Sequence, residues 1–333
     1  MPNTEHLLIA ILDWGLGHAS RCVPLVKAWQ EEGKRVTVAS AGSALMLLKA
    51  SLEEVDFIEL PAYAVRYPTR SMIWNMGVQS PRLWWVMKKE HRILSDYVRQ
   101  EGVDMIVSDG RFGCWSKDVR SIWLAHQLQI QYQQSWLAWM MNKGYHTFVR
   151  RHFAEVWVPD IEGEDSLAGD LARPIAGLPH RYLGALSRFA GRKLEEVAQR
   201  PYQWLALLSG PEPQRAYLEE ELIDCFKAWD VPALLVRGVP GSSKPQAITP
   251  NLSVVDWLLG DQLATTISQA ERLICRSGYS TLLDAYHWQK PLLLIPTPGQ
   301  TEQEYLAKYW ASKGWAEWQW QGEVGGVSGG CYT

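Results

Sequence analysis

Two short stretches of this 333-residue chain hold the residue types that can do chemistry. The first is Leu12-Asp13-Trp14-Gly15-Leu16-Gly17-His18-Ala19-Ser20-Arg21, a glycine turn between an apolar run and an amphipathic stretch. Glycines keep the backbone thin where a ligand approaches, and the turn offers His18, whose ordinary pKa of about 6.5 suits a general base. Asp109 ends another apolar run, in Ile106-Val107-Ser108-Asp109-Gly110-Arg111, and is the carboxylate expected to orient that ring; Asp13 is its rival. The second stretch is Ile274-Cys275-Arg276-Ser277-Gly278-Tyr279-Ser280-Thr281. A strand that turns at glycine into a helix presents free N–H groups and the positive end of the helix dipole, which suits a diphosphate without a metal. An ordinary α/β repeat contains such a turn as well, so the glycine alone decides nothing.

Other chemistries are disfavoured by the same residues. The first turn lacks the third glycine of a dinucleotide fingerprint, with Ser20 in its place, and the next strand ends in Ala39-Ser40 with no acid for a ribose. No Asp-x-Asp pair and no clustered His ligands occur, so neither metal nor other cofactor is expected. In Ser209-Gly210-Pro211-Glu212-Pro213-Gln214-Arg215, Ser209 ends an apolar run and Arg215 is a candidate phosphate partner, as is Arg237. His126, after the run Ile122–Ala125, is a weaker candidate on the acceptor side.

The pattern RSG-x-x-TLL-D, the apolar run ending in Ile295-Pro296, and Gln303 within Glu302-Gln303-Glu304-Tyr305 together resemble the donor-binding region of family 28 glycosyltransferases. The lipid-II-forming N-acetylglucosaminyltransferases belong to that family. The resemblance implies that Ser277, Gly278, Ser280 and Thr281 hold the donor diphosphate. It further implies that Asp284, where the family usually has Glu, holds the ribose, that Gln303 contacts the sugar, and that Trp257–Gly260 lies against the nucleobase, uridine by family habit. Glu304 stands where a second Gln is usual. The G-x-G-H-x-x-R turn resembles the family's first loop, which faces the acceptor, and more literally that of the UDP-sugar hydrolases of the pseudaminic acid pathway. Gly15, Gly17 and Arg21 are then acceptor-side residues, with His18 and Asp109 as the catalytic pair.

These groups need a frame to position them. Apolar runs at Leu7–Leu12, Val36–Ala39, Phe57–Leu60, Met105–Val107, Ile122–Ala125 and Val156–Val158 alternate with helical stretches such as Cys22–Glu32 and Lys88–Gln100. A second set follows at Trp204–Leu208, Ala233–Val236, Ser253–Val255, Leu273–Cys275 and Leu292–Ile295. The expectation is an α/β chain of the GT-B kind: two doubly wound, Rossmann-like parallel sheets facing a cleft. Residues 1–165 form the acceptor-side domain, 166–190 the connection with a strand near Tyr182–Ala185, 191–322 the donor-binding domain and 323–333 a flexible tail.

Composition agrees with this plan. A net charge of −3 gives no broad basic surface, so nucleic acid is not an expected partner. Five cysteines without a C-x-x-C pair, and a first apolar run too short for a leader or span, point to a cytoplasmic protein. In residues 63–92, Tyr63, Tyr67, Trp74, Trp84 and Trp85 alternate with Arg66, Arg70, Arg82, Lys88, Lys89 and Arg92. That segment is either a peripheral contact with an anionic membrane or a pair of amphipathic helices with buried rings and solvated charges.

The expected activity is an inverting, metal-independent transfer of a sugar from a UDP-linked donor to a sugar or lipid-linked acceptor in cell-envelope polysaccharide or glycolipid synthesis. A nucleotide-sugar hydrolase and a catalytically silent nucleotide-sugar-binding protein are the alternatives.

Overall fold

A computed structural model describes residues 4–326 except 15, 66–71, 131–134, 192–196, 198 and 211. The chain divides into two compact units between Ala190 and Gly191.

The first unit carries β1 (His6–Ile11), β2 (Arg35–Ser40), β3 (Asp56–Glu59), β4 (Met105–Asp109), β5 (Arg120–Leu124), β6 (Glu155–Val158) and β7 (His180–Tyr182). They form one parallel sheet in the order β3-β2-β1-β4-β5-β6-β7. The connecting helices are α1 (Gly17–Glu31), α2 (Gly42–Ser51), α3 (Met72–Glu101) and α4 (Ser135–His152). β1 is apolar from Leu7 to Ile11 because both its faces are covered. Leu7, Ile9 and Ile11 pack with Cys22, Val26 and Trp29 of α1, whereas Leu8 and Ala10 pack with Leu94 and Val98 of α3. Each fully buried Leu or Ile contributes about 1.5–3 kcal/mol, so one strand supports both layers.

The second unit carries β8 (Tyr202–Leu207), β9 (Ala233–Val236), β10 (Gln246–Ala247), β11 (Leu252–Val255), β12 (Ala270–Cys275), β13 (Leu292–Leu294) and β14 (Glu317–Trp318). Its order is β10-β11-β9-β8-β12-β13-β14, parallel except for the short edge strand β10. Helices α5 (Gln214–Trp229), α6 (Gly260–Ser268), α7 (Tyr279–Trp288) and α8 (Thr301–Ser312) connect the strands. Leu218, Leu222 and Phe226 of α5 pack on Trp204, Ala206 and Leu208.

In both sheets the winding direction reverses at a definite pair of neighbours, β1 and β4 in the first and β8 and β12 in the second. Beyond the carboxyl ends of such strands the connections part to opposite faces and leave room for a ligand. The two stretches singled out by chemistry leave these strands.

Three expectations are corrected. Residues 166–190 are part of the first unit, because β7 pairs with β6. The helix expected over Lys88–Gln100 begins at Met72 and runs across Pro81, a residue that ordinarily marks a boundary. The tail expected from 323 onward is anchored at its start, where Val324 is fully buried in the core beside α5; residues 327–333 lie outside the described residues.

Candidate active site

In the first unit, Ile11 and Asp109 are register partners at the ends of β1 and β4, and the Leu12 N–H donates to the Asp109 carbonyl at 3.0 Å. This pairing brings the first loop against the end of β4. His18, in the first turn of α1, places Nδ1 3.0 Å from Asp109 Oδ1; the ring is partly exposed and the carboxylate fully buried. Gly110 makes this approach possible. Its φ is +74°, and a Cβ there would sit 3.0 Å from Leu12 Cδ2 and 3.4 Å from His18 Cε1.

Arg21, one turn further along α1, is buried against the same carboxylate. Its Nε donates to Asp109 Oδ2 at 3.2 Å, its Nη2 donates to Oδ1, and the Cys22 thiol donates to Oδ2 at 3.2 Å. Arg21 Nη1 lies 3.0 Å from His126 Nδ1, and Nη2 lies 3.0 Å from His18 Nδ1. Burial pulls the Asp109 carboxyl upward, but the Arg21 guanidinium and His18 beside it hold it well below the usual carboxylate range. Burial and the Asp109 charge push the Cys22 thiol well up, so it is a donor here and no nucleophile. Arg21 is therefore a brace behind the pair, 3% exposed, where an acceptor-side contact was expected. His126, 8% exposed, is tied to that brace.

Asp13 has a different task. It accepts from Arg111 Nη2 at 3.1 Å and from the Tyr63 N–H at 3.1 Å. Arg111 is fully buried and also donates to Glu90 Oε2 at 2.8 Å, while the Tyr63 hydroxyl donates to Glu90 Oε1 at 2.6 Å. Burial raises the Glu90 carboxyl against the pull of Arg111. This network fixes the entry to the first loop and leaves Asp109 as the partner of His18. Residue types alone gave no sign of it, because Glu90 sits among the exposed charges of α3 in sequence. Gly15 lies outside the described residues; Gly17 opens α1.

In the second unit, β12 runs beside β8 with Cys275 opposite Leu207, so Ser209 and the Arg276–Gly278 turn leave adjacent strands. Gly278 is the N-cap of α7, with no side chain capping the helix. The turn does not depend on glycine for its backbone conformation: φ at Gly278 is −70°, open to any residue. A Cβ there would meet only Gln303 Nε2, at 3.9 Å, so protein packing does not require glycine either. Ser280 and Thr281, in the first turn of α7, are partly exposed, and Ser209 is exposed.

Other donor-side expectations change in detail. The Ser277 hydroxyl is buried and donates to the Gln303 carbonyl at 2.8 Å, tying α8 to the turn rather than reaching outward. Gln303 Oε1 accepts from the Thr297 N–H at 2.9 Å, and its Nε2 donates to Gln300 Oε1 at 2.6 Å. Asp284 is 5% exposed, buried on α7 rather than displayed on the surface. Arg215 donates to Glu212 and Glu219, and Arg237 to Glu219 and Asp256, at 2.5–3.2 Å. Both guanidiniums are thus already paired with carboxylates, unlike the free phosphate partners expected. Arg276, inside the quoted motif yet given no role from it, is buried and bonded to neutral acceptors alone.

Two rings of the basic–aromatic segment lie outside. Trp84 and Trp85 on α3 are each 57% exposed, with Lys88 Nζ 3.6 Å over the Trp84 ring and Lys89 Nζ 5.1 Å over that of Trp85. Trp136 and Trp139 on α4 are also exposed. Tyr63 is buried, which removes it from that surface. Arg66, Tyr67 and Arg70 lie outside the described residues, as does the side chain of Trp74. Among the described residues no helix is long and apolar enough to cross a membrane, and no three His, Cys, Asp or Glu converge as metal ligands.

Residues 246–324 match the glycosyltransferase family 28 C-terminal domain, and this span contains Ser277–Thr281, Asp284 and Gln303 in the geometry described. The second unit thus carries a match to the C-terminal domain of that family, in a chain of GT-B fold. Ser209, Arg215 and Arg237 precede the matched span. No curated protein shows significant sequence similarity to the chain. Its fold is similar to the glycosyltransferase of kitacinnamycin, with a TM-score of 0.69 at 15% identity over 97% of this chain and 88% of that one. It is similar to MurG of Acinetobacter baumannii (TM-score 0.59, 16% identity, 96% and 87% covered). It also resembles an Arabidopsis thaliana enzyme, UGT89C1, solved with UDP-L-rhamnose (TM-score 0.65, 14% identity, 96% and 86% covered).

Proposed function

We propose that this protein is a glycosyltransferase that moves a sugar from a UDP-linked donor to an acceptor hydroxyl with inversion and without a metal. The observation that carries the reading is the bond between His18 and the buried Asp109, on the unit that does not contain the family 28 domain. An ionised carboxylate only accepts, so it favours the tautomer with the proton on His18 Nδ1 and the lone pair on Nε2. In the reaction the acceptor oxygen bonds to the anomeric carbon as the bond to the diphosphate breaks, and His18 Nε2 takes the hydroxyl proton. The nucleotide diphosphate leaves with the bonding pair. Its charge is met by the first turn of α7, from Gly278 to Thr281, with Asp284 serving the ribose and Gln303 the sugar.

The acceptor is assigned to the first unit. The exposed Trp84 and Trp85 with their lysines suit a lipid-linked acceptor at an anionic membrane surface. A second reading, hydrolysis with water in place of the acceptor, is supported by the G-x-G-H-x-x-R turn, whose arginine braces Asp109.

The deciding experiment measures nucleotide release from a panel of nucleotide sugars with and without acceptors, in excess chelator. Release that requires an acceptor and is lost in His18→Ala supports the transferase. Release in water alone at the full rate favours hydrolysis, and absence of binding to any nucleotide sugar removes both readings.

A further inference from the structure

Arg276 follows β12 directly and leads into the Ser277–Thr281 turn, and it is 1% exposed. Its Nη1 donates to the carbonyls of Ile295 and Pro296, both at 3.2 Å. Its Nη2 donates to the Gln214 carbonyl and to Gln321 Oε1, both at 2.8 Å. Those acceptors open α5, follow β13 and follow β14, so one guanidinium joins three segments beyond the ends of the parallel strands.

All four acceptors are neutral, and Nε donates to nothing among the described residues. Glu221, whose charge reaches Arg276, instead accepts from the N–H groups of Gly322 and Val324. Burial accordingly lowers the guanidinium to about 10. A buried cation without a carboxylate is costly, and a neutral side chain of similar shape would tie the same segments at less expense. Arg215 and Arg237 in the same unit are paired with carboxylates, which makes the contrast specific to the turn.

We propose that Arg276 is a positioning residue of the donor site whose missing counter-charge is the diphosphate of the bound nucleotide. It gathers the segments around the Ser277–Thr281 turn and holds a fixed positive charge beside it. The inference rests on the donor reading given above. In a low-dielectric interior the field of such a charge reaches a neighbouring anion more strongly than it would through water.

The test is calorimetric titration of UDP, UMP and uridine into the unaltered protein and into Arg276→Gln. The variant should lose about tenfold or more in UDP affinity, less for UMP and little for uridine. Equal losses for all three ligands would make Arg276 a structural tie alone and overturn the inference, leaving the donor reading in place. Failure of the unaltered protein to bind UDP at all would overturn the donor reading and the inference with it. Should Arg276→Gln not fold, the unaltered protein carries the test by nuclear magnetic resonance on arginine-labelled material. The Arg276 Nε–H signal, assigned by its loss in Arg276→Lys, should shift with UDP and stay in place with uridine. The same response to both ligands, or to neither, would sink the proposal.

Discussion

Arg21 and His18, three residues apart on one helix, converge on the single buried carboxylate of Asp109, with Arg21 Nε on one oxygen at 3.2 Å and His18 Nδ1 on the other at 3.0 Å. Arg21 balances the charge of Asp109 within the protein, and His18 carries the contact toward solvent. Loss of the ring and loss of the carboxylate should therefore have different signatures.

His18→Ala should lower turnover by about 10²–10⁴-fold, the usual range for a positioned general base, while donor affinity stays nearly unchanged. The ring is partly exposed and Arg21 still pairs Asp109 without it, so its loss should cost little stability. Steady-state kinetics with a direct binding titration check both halves; a parallel fall in donor affinity would move His18 out of the proton-transfer role.

Asp109→Asn should lower turnover less than His18→Ala, because the imidazole remains but is poorly oriented. It should also destabilise the fold by about 3–5 kcal/mol, since it strands the buried Arg21. The stability gap has a definite pH dependence. The folded carboxyl sits well below its unfolded value of about 3.9, so its contribution is fully present above that value and is lost as pH falls toward the folded one. Urea midpoints of the two proteins should differ by a constant amount from about pH 5 to 8 and converge below about pH 4. A gap that widens in acid would contradict the ion pair.

Gly278→Val should fold normally, because a Cβ there meets only Gln303 Nε2 at 3.9 Å and the backbone is already in a region open to valine. Its side chain should nevertheless crowd a diphosphate at the start of α7 and weaken UDP binding by about tenfold or more. Titration in excess chelator reads this directly. Unchanged affinity would place the diphosphate elsewhere, and binding that vanishes on adding chelator would require a metal.

Replacing Trp84 and Trp85 together by serine should leave stability within about 0.5 kcal/mol per site, since both rings are largely solvated. Sedimentation with anionic phosphatidylglycerol vesicles should fall by about tenfold if this face of α3 rests on a membrane. Equal partitioning of the variant and the unaltered protein would assign these rings to the acceptor or to solvent.

The strands that lead into both candidate loops were legible along the chain. Leu7–Leu12 and Leu273–Cys275 are apolar without a break because parallel strands are covered on both faces, and that signal is local. The family pattern around Ser277–Thr281 was legible for the same reason, since its parts lie on one turn, its helix and the next strand. What tertiary structure decided was which charges meet. Asp13 lies close to His18 in the chain and Asp109 lies 91 residues away, yet the register of β1 on β4 gives the ring to Asp109 while Arg111 takes Asp13. Arg21 reads as an acceptor-side residue at the end of a glycine motif and becomes a brace because α1 lays it over the end of β4. Arg215 and Arg237 read as free cations until α5 turns Glu219 between them. Periodicity fixes which face of an element is buried, but the partner of a charge depends on contacts between residues far apart in the chain, and those exist only once the sheet has closed.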